Sequence, residues 1–165
     1  MRIGLVLLFS AIAAAVAGCG GGGATAAVEP ASASATLAAK PATVSTRKGQ
    51  LGTFLVDGKG RTLYLFEKDT GKRSRCSGAC AQAWPPLISR GKPVAKGRAK
   101  ASLLSTSRRA NGSRQVTYGG HPLYRFAPDT APGQTLGQGV DGFGALWWVV
   151  ARSGNAITSS SSPGY

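Results

Sequence analysis

The sequence predicts a small, mainly β domain: antiparallel hairpins in two related units, one short helical turn, and a disordered tether in front. Three observations carry this reading. Apolar residues fall in short runs bounded by Gly, Asp, Asn and Pro, the punctuation of strands and tight turns. Stretches with helical period are nearly absent. A Tyr-x-Phe-x-x-Asp pattern occurs twice, sixty residues apart, in a chain of 165 residues.

The chain opens with Arg2 as a minimal positive region and an apolar run from Ile3 to Ala17. That run is shorter than the roughly 20 residues that span a bilayer and ends in small residues, so it reads as an export signal. Its ending, Val16-Ala17-Gly18-Cys19, resembles the bacterial lipobox, in which the Cys becomes the new N-terminus and carries diacylglycerol on sulfur. The competing reading is an ordinary cleaved signal that contains a cysteine. On the lipobox reading residues 1–18 are the signal peptide, Cys19 is lipidated, and two or more acyl chains hold the protein at the membrane. From Gly20 to about Thr46 the residues are mostly Gly, Ala, Ser, Thr and Pro, too poor in large apolar groups to offset chain entropy. Residues 19–46 are therefore expected to be a lipidated linker, 47–157 the folded domain and 158–165 a disordered tail.

Within the domain, Leu51–Asp57 reads as a strand and Asp57-Gly58-Lys59-Gly60 as its turn into Arg61–Glu67, a first hairpin. Leu63-Tyr64-Leu65-Phe66 has the continuous apolar character of a strand buried on both faces. Glu67–Gly71 breaks it with turn chemistry. A basic loop, Lys72-Arg73-Ser74-Arg75, leads into Cys76-Ser77-Gly78-Ala79-Cys80, a helical turn over Ala79–Ala83, and Trp84-Pro85-Pro86. Leu87-Ile88 reads as a short strand. Leu103–Arg108 and Ser113–Tyr118 flank Asn111-Gly112, a strong hairpin turn, and His121–Ala127 pairs back after Gly119-Gly120. A polar loop, Pro128–Gly144, precedes the most apolar strand, Leu146–Val150, on which Trp147 and Trp148 must face opposite ways.

The repeat is legible residue by residue. Leu63–Thr70 aligns with Leu123–Thr130, Gly60 with Gly120 and Val56 with Val116, and each copy reaches a Trp some twenty residues on. This predicts two related units packed on one core, repeat 1 about 51–87 and repeat 2 about 113–151. The doubled motif, with C-x3-C before Trp-Pro-Pro-Leu, and Gly120-His121-Pro122-Leu123-Tyr124 in the second copy, resembles the bacterial lipoproteins described as secreted repeats of unknown function. That resemblance covers roughly Leu51–Gly154, departs at Asn111-Gly112 where Asp-Gly is expected, and implies an envelope location without an established activity.

The chain holds 20 Lys and Arg against 6 Asp and Glu, a formal charge of +14. Outside the cytoplasm such a charge meets anionic headgroups, wall or capsule polymers, or extracellular nucleic acid; a generically basic surface with no dedicated ligand is the bland alternative. No RNP-like, helix-turn-helix or zinc-finger pattern converts it into a specific nucleic-acid reader. Cys76 and Cys80, an even pair in an exported domain, read as a disulfide shaping the loop before Trp84. The neighbouring cations keep a redox or metal-binding pair open as the alternative.

The repeat-motif residues Tyr64, Phe66, Asp69, Tyr124, Phe126 and Asp129 are the remaining candidates. Asp69 and Asp129 either share a cation site or each cap a turn and accept from a tyrosine hydroxyl; the second is favoured. His121, the one histidine, stands in a turn. There is no Gly-x-Ser-x-Gly elbow, no C-x-x-C-H for haem, and no blue-copper ligand set. The reading is thus a non-enzymatic envelope protein with no cofactor or metal, held to the membrane by lipid at Cys19. Its basic surface would serve an anionic polymer or a partner protein.

Overall fold

The computed structural model describes residues 40–158. The export signal, the lipobox at Cys19, most of the expected linker and nearly all of the expected tail lie outside the described residues. The fold is mainly β. β1 (Thr43–Gly49) and β2 (Gly52–Asp57) form a tight antiparallel hairpin, from Val44 opposite Asp57 to Gly49 opposite Gly52. Gly52 holds φ 84, a conformation that glycine adopts without a Cβ penalty. β1 thus begins inside the segment expected to be linker. Its composition hid it, because Val44 alone is fully buried while its neighbours are small and polar. β1 also pairs in parallel with β4 (Val94–Ala95). The expected turn after Asp57 is present: Asp57 N donates to Arg61 O at 2.8 Å, and Val56 bridges Thr62. β1 is therefore the middle strand of this sheet, between β2 and β4, while β2 meets Thr62 and Ala151 on its other side only through isolated bridges.

β3 (Tyr64–Phe66) is buried throughout, as its apolar run requires. The helical turn is α1 (Ala79–Ala83). A 3-10 turn at Ala101–Leu103 leads into β5 (Leu104–Arg108), which pairs with β6 (Arg114–Tyr118) across the expected Asn111-Gly112 turn. β7 (His121–Pro122) is shorter than expected, since the residues after it find another partner. β8 (Val140–Gly142) arises in the stretch expected to be loop, and pairs with β9 (Ala145–Val149).

The two repeats exchange strands. β3 of the first repeat pairs with β9 of the second, Tyr64 opposite Val149 and Phe66 opposite Trp147. Reciprocally, Arg125 N donates to Pro85 O and Ala127 N to Ala83 O, both at 2.9 Å. Between these pairings Tyr64 and Tyr124 exchange both backbone bonds, at 2.9 and 3.0 Å, so a pseudo-twofold axis passes between the motif tyrosines. Leu55 N to Val150 O and Val116 N to Leu87 O, each 2.8 Å, are the same bond in the two halves. Backbone bonding thus matches Leu55 with Val116, one residue off the Val56–Val116 alignment read from the sequence; the turn after β2 is one residue longer than the turn after β6.

Central strands with two buried faces need two cores, and the single core expected from sequence is two clusters. Alternation sends Tyr64, Phe66, Phe54 and Val56 to one, with Trp84 and Trp147. It sends Leu63, Leu65 and Leu55 to the other, with Leu123, Val116 and Tyr118.

Candidate functional site

Strand exchange explains the repeated motif. The Tyr64 hydroxyl donates to Asp129 Oδ2 at 2.5 Å, and the Tyr124 hydroxyl donates to Asp69 Oδ2 at 2.7 Å. Each Asp also closes its own loop: Asp69 Oδ1 accepts from Arg75 N at 2.7 Å and Asp129 Oδ1 from Leu136 N at 3.0 Å. Burial first, and the carboxylate second, hold both tyrosines far above the ordinary phenol range. Burial likewise raises both carboxyls, against the lowering effect of their donors. Asp69 and Asp129 have no hydrogen-bond partner in common. Among the described residues no group of His, Cys, Asp or Glu comes together as a metal ion would need. The motif carboxylates are structural staples between repeats.

The aromatic residues obey the same symmetry. Phe66 stacks on Trp147 (centroids 4.0 Å apart, 7° between planes), Trp147 on Trp84 (4.0 Å, 3°) and Trp84 on Phe126 (4.1 Å, 28°). Tyr64 meets Trp84 edge-on at 5.3 Å and Tyr124 meets Trp147 at 5.1 Å. Period two puts Tyr and Phe of each motif on one face, and the exchanged strands interleave the two sets. Trp148 faces the other way, half-buried, with its indole N–H on Glu67 at 2.7 Å.

Where the repeats differ, a cleft opens. The loop 73–78 of repeat 1 and the β5–β6 turn of repeat 2 enclose a cavity of about 810 Å³, lined by Arg73, Arg75, Arg108 and Arg109 with Ser74 and Cys76 and by no acidic residue. The wall is shaped by the Cys76–Cys80 disulfide, Cα atoms 5.3 Å apart, which packs in the aromatic cluster with Trp84. Arg109 is fixed by neutral acceptors alone: Nη1 donates to Ser74 Oγ at 2.9 Å and Gln115 Oε1 at 2.5 Å, and Nη2 to Cys76 O at 2.6 Å. Gln115 is fully buried, and its Nε2 donates to Leu123 O at 2.9 Å, so its oxygen must face the guanidinium. Ser74 is in turn 2.7 Å from the Tyr124 hydroxyl. The ion pairs among the described residues are those of Asp57 with Arg61 and Arg125, at 2.9 and 2.8 Å, and neither involves the cleft. Arg109 is therefore positioned by neutral groups and makes no direct ion pair, with Asp69, bonded to the Tyr124 hydroxyl, as the carboxylate near enough to attract its charge.

The structure joins Cys76, Cys80, Tyr124 and Asp69 to this neighbourhood through Ser74, while Tyr64, Asp129 and Phe126 serve the interior. His121 lines a separate small cavity with Glu67 and Asp69. Sequence reasoning missed Ser74, Arg109 and Gln115. The one signal was chemical: Gln115 is a polar residue at an inward position of a strand, and such a residue demands a partner.

A family model described as "Secreted repeat of unknown function" matches the chain twice, over residues 45–88 and 105–151, more than half its length. Both matches start earlier than the repeats read from sequence and take in most of β1 and of β5. No curated protein and no solved structure matches. No helix among the described residues is long and apolar enough to cross a membrane.

Proposed function

The chain belongs to the family of secreted repeats of unknown function, and from that premise we propose that it is a non-enzymatic binding module of the bacterial cell envelope, taking an anionic polymer or acidic partner in the arginine cleft. One observation carries the reading: Arg109 is held by Ser74, Gln115 and the Cys76 carbonyl, with no carboxylate in the cleft wall. A cation ordered before its ligand arrives loses little entropy on binding. Guanidinium forks suit phosphate, sulfate and carboxylate oxygens. Lipid anchoring is part of the proposal and rests on Val16-Ala17-Gly18-Cys19: signal peptide 1–18, lipidated Cys19, then a linker to β1.

The redox or metal-handling alternative for Cys76 and Cys80 is the weaker reading. They are 1% and 6% exposed and packed in the aromatic cluster, so the bond is shielded from an attacking thiolate although Cys76 borders the cleft.

The test is polyphosphate binding by the chain from Gly20 onward, at low and high salt. Arg73→Ala, Arg75→Ala and Arg108→Ala combined should weaken binding at least about tenfold, from the loss of three charge-assisted contacts. The salt dependence should flatten with it. Unchanged affinity in that variant overturns the proposal.

A further inference from the structure

A second cavity, of about 600 Å³, lies where the described chain begins. Its cations are Lys40, Lys59, Arg61, Arg90 and Arg125, and its one acidic residue is Asp57. That carboxylate is committed: Oδ2 takes Arg61 Nη2 at 2.9 Å and Arg125 Nε at 2.8 Å, and Oδ1 takes Lys59 N at 2.8 Å. Burial raises the Asp57 carboxyl, but those amides and guanidiniums outweigh it and hold it below the ordinary carboxylate range. Lys40, Lys59 and Arg90 have no ion-pair partner among the described residues, and all three are exposed. The same cavity has an apolar wall of Pro41, Leu87 and Ile88, and Ile88 is 37% exposed on a surface otherwise dominated by charge. Cations beside exposed apolar groups suit an amphiphile with an acidic head.

Position selects among amphiphiles. Lys40 and Pro41 of the cavity wall are the residues through which the linker enters the domain. Between Cys19 and Lys40 lie twenty residues, rich in Gly and Ala, which in any conformation reach no further than about 70 Å. On the lipid-anchor reading, this cavity is therefore lined by the described residues that stand nearest to the anchor along the chain. We infer that it is a docking site for the headgroup of an anionic phospholipid, with the phosphate among Lys40, Lys59 and Arg90 and the start of the acyl region against Ile88. The tether then delivers the domain to a surface that it grips, and the arginine cleft is a separate site for a separate ligand.

The experiment is co-sedimentation of the unlipidated chain from Gly20 onward with vesicles of phosphatidylcholine alone or doped with phosphatidylglycerol. Two triple variants carry the same charge change: Lys40→Glu, Lys59→Glu and Arg90→Glu at the cavity, and Arg73→Glu, Arg75→Glu and Arg108→Glu at the cleft. Arg61 and Arg125 are left intact because they neutralise buried Asp57. Binding to the doped vesicles, absent from pure phosphatidylcholine, should fall more than about tenfold in the cavity triple and change less than about threefold in the cleft triple. Ile88→Ser should weaken it further, and free glycerol phosphate should not displace the protein at concentrations where the vesicles hold it. Equal losses in the two triples would mean diffuse charge attraction, and no loss in the cavity triple would mean another surface binds; either overturns the inference. Displacement by glycerol phosphate would make the ligand a soluble phosphate and overturn it as well. None of these outcomes touches the polyphosphate assay of the cleft, so the two proposals fail separately.

Discussion

Removing the Tyr64 hydroxyl isolates the staple between the repeats. Tyr64→Phe keeps the ring, its edge contact with Trp84 and the strand, and deletes two bonds: the donation to Asp129 at 2.5 Å and acceptance from Gly137 N at 3.3 Å. Tyr64 is fully buried and Asp129 is 4% exposed, so water cannot replace the lost donor well. A hydrogen bond to a charged group contributes about 1.5–3 kcal/mol, and an orphaned buried amide adds about 1; Asp129 keeps its bond from Leu136. The expected cost is about 2–4 kcal/mol. With a urea m-value of about 1–3 kcal/mol/M, the unfolding midpoint should drop by roughly 1–2 M at unchanged m. Tyr124→Phe deletes the bonds to Asp69 and Ser74, both at 2.7 Å, and should cost a similar amount. The two should part on binding. Ser74 positions Arg109, so Tyr124→Phe should also weaken polyphosphate binding while Tyr64→Phe leaves it unchanged. A cost below about 0.5 kcal/mol for either variant, or equal binding by both, would refute the reasoning.

Acidity should act in two opposed directions. Burial holds Asp69 and Asp129 above their unfolded value of 3.8, so the folded chain binds protons first and stability rises as pH falls from neutral towards 3.8. Asp57 sits below 3.8, so its contribution is present above that value and lost as pH falls through its folded value. Melting temperature against pH should lose the first limb in Asp69→Asn/Asp129→Asn, and a double variant that retains it would contradict the assignment. At the alkaline end, stability held below the ordinary tyrosine value of 10.0 should be lost as pH rises beyond it. Phenolate absorbance of Tyr64 and Tyr124 should then appear only with unfolding, and a normal titration in the folded protein would refute their burial. Gly137→Ala would place a Cβ 2.7 Å from the Trp84 ring and 3.0 Å from that of Tyr64. Overpacking there should cost about 1–3 kcal/mol in denaturation, and a neutral result would mean that the loop yields. Cys76→Ser/Cys80→Ser should cost about 2 kcal/mol, the entropy of a short loop. The fold should survive, with weaker polyphosphate binding as the Cys76 carbonyl loosens from Arg109; unchanged binding would separate the disulfide from the cleft.

By itself the sequence determined the β class, the hairpin turns at Asn111-Gly112 and after Asp57, the helical turn before Trp84, the doubled motif and the cysteine pair. These depend on local chemistry, on glycine's freedom at positive φ and on the period-two alternation of apolar groups, and both act within a few residues. The tertiary structure alone decided which strand pairs with which. Strand pairing is set by side-chain packing across the whole core, so nothing near Tyr64 in the chain announces Asp129, and nothing near Arg109 announces Ser74. The same gap hid β1, whose single buried Val44 has meaning only once β2 and β4 lie beside it. It also turned one expected core into two, because a strand inserted between the halves of a twofold pair buries both its faces. Residue types named the possible contacts; exchange of strands between the repeats chose among them, and that arrangement covers both faces of Leu63–Phe66 and gives each buried tyrosine a carboxylate.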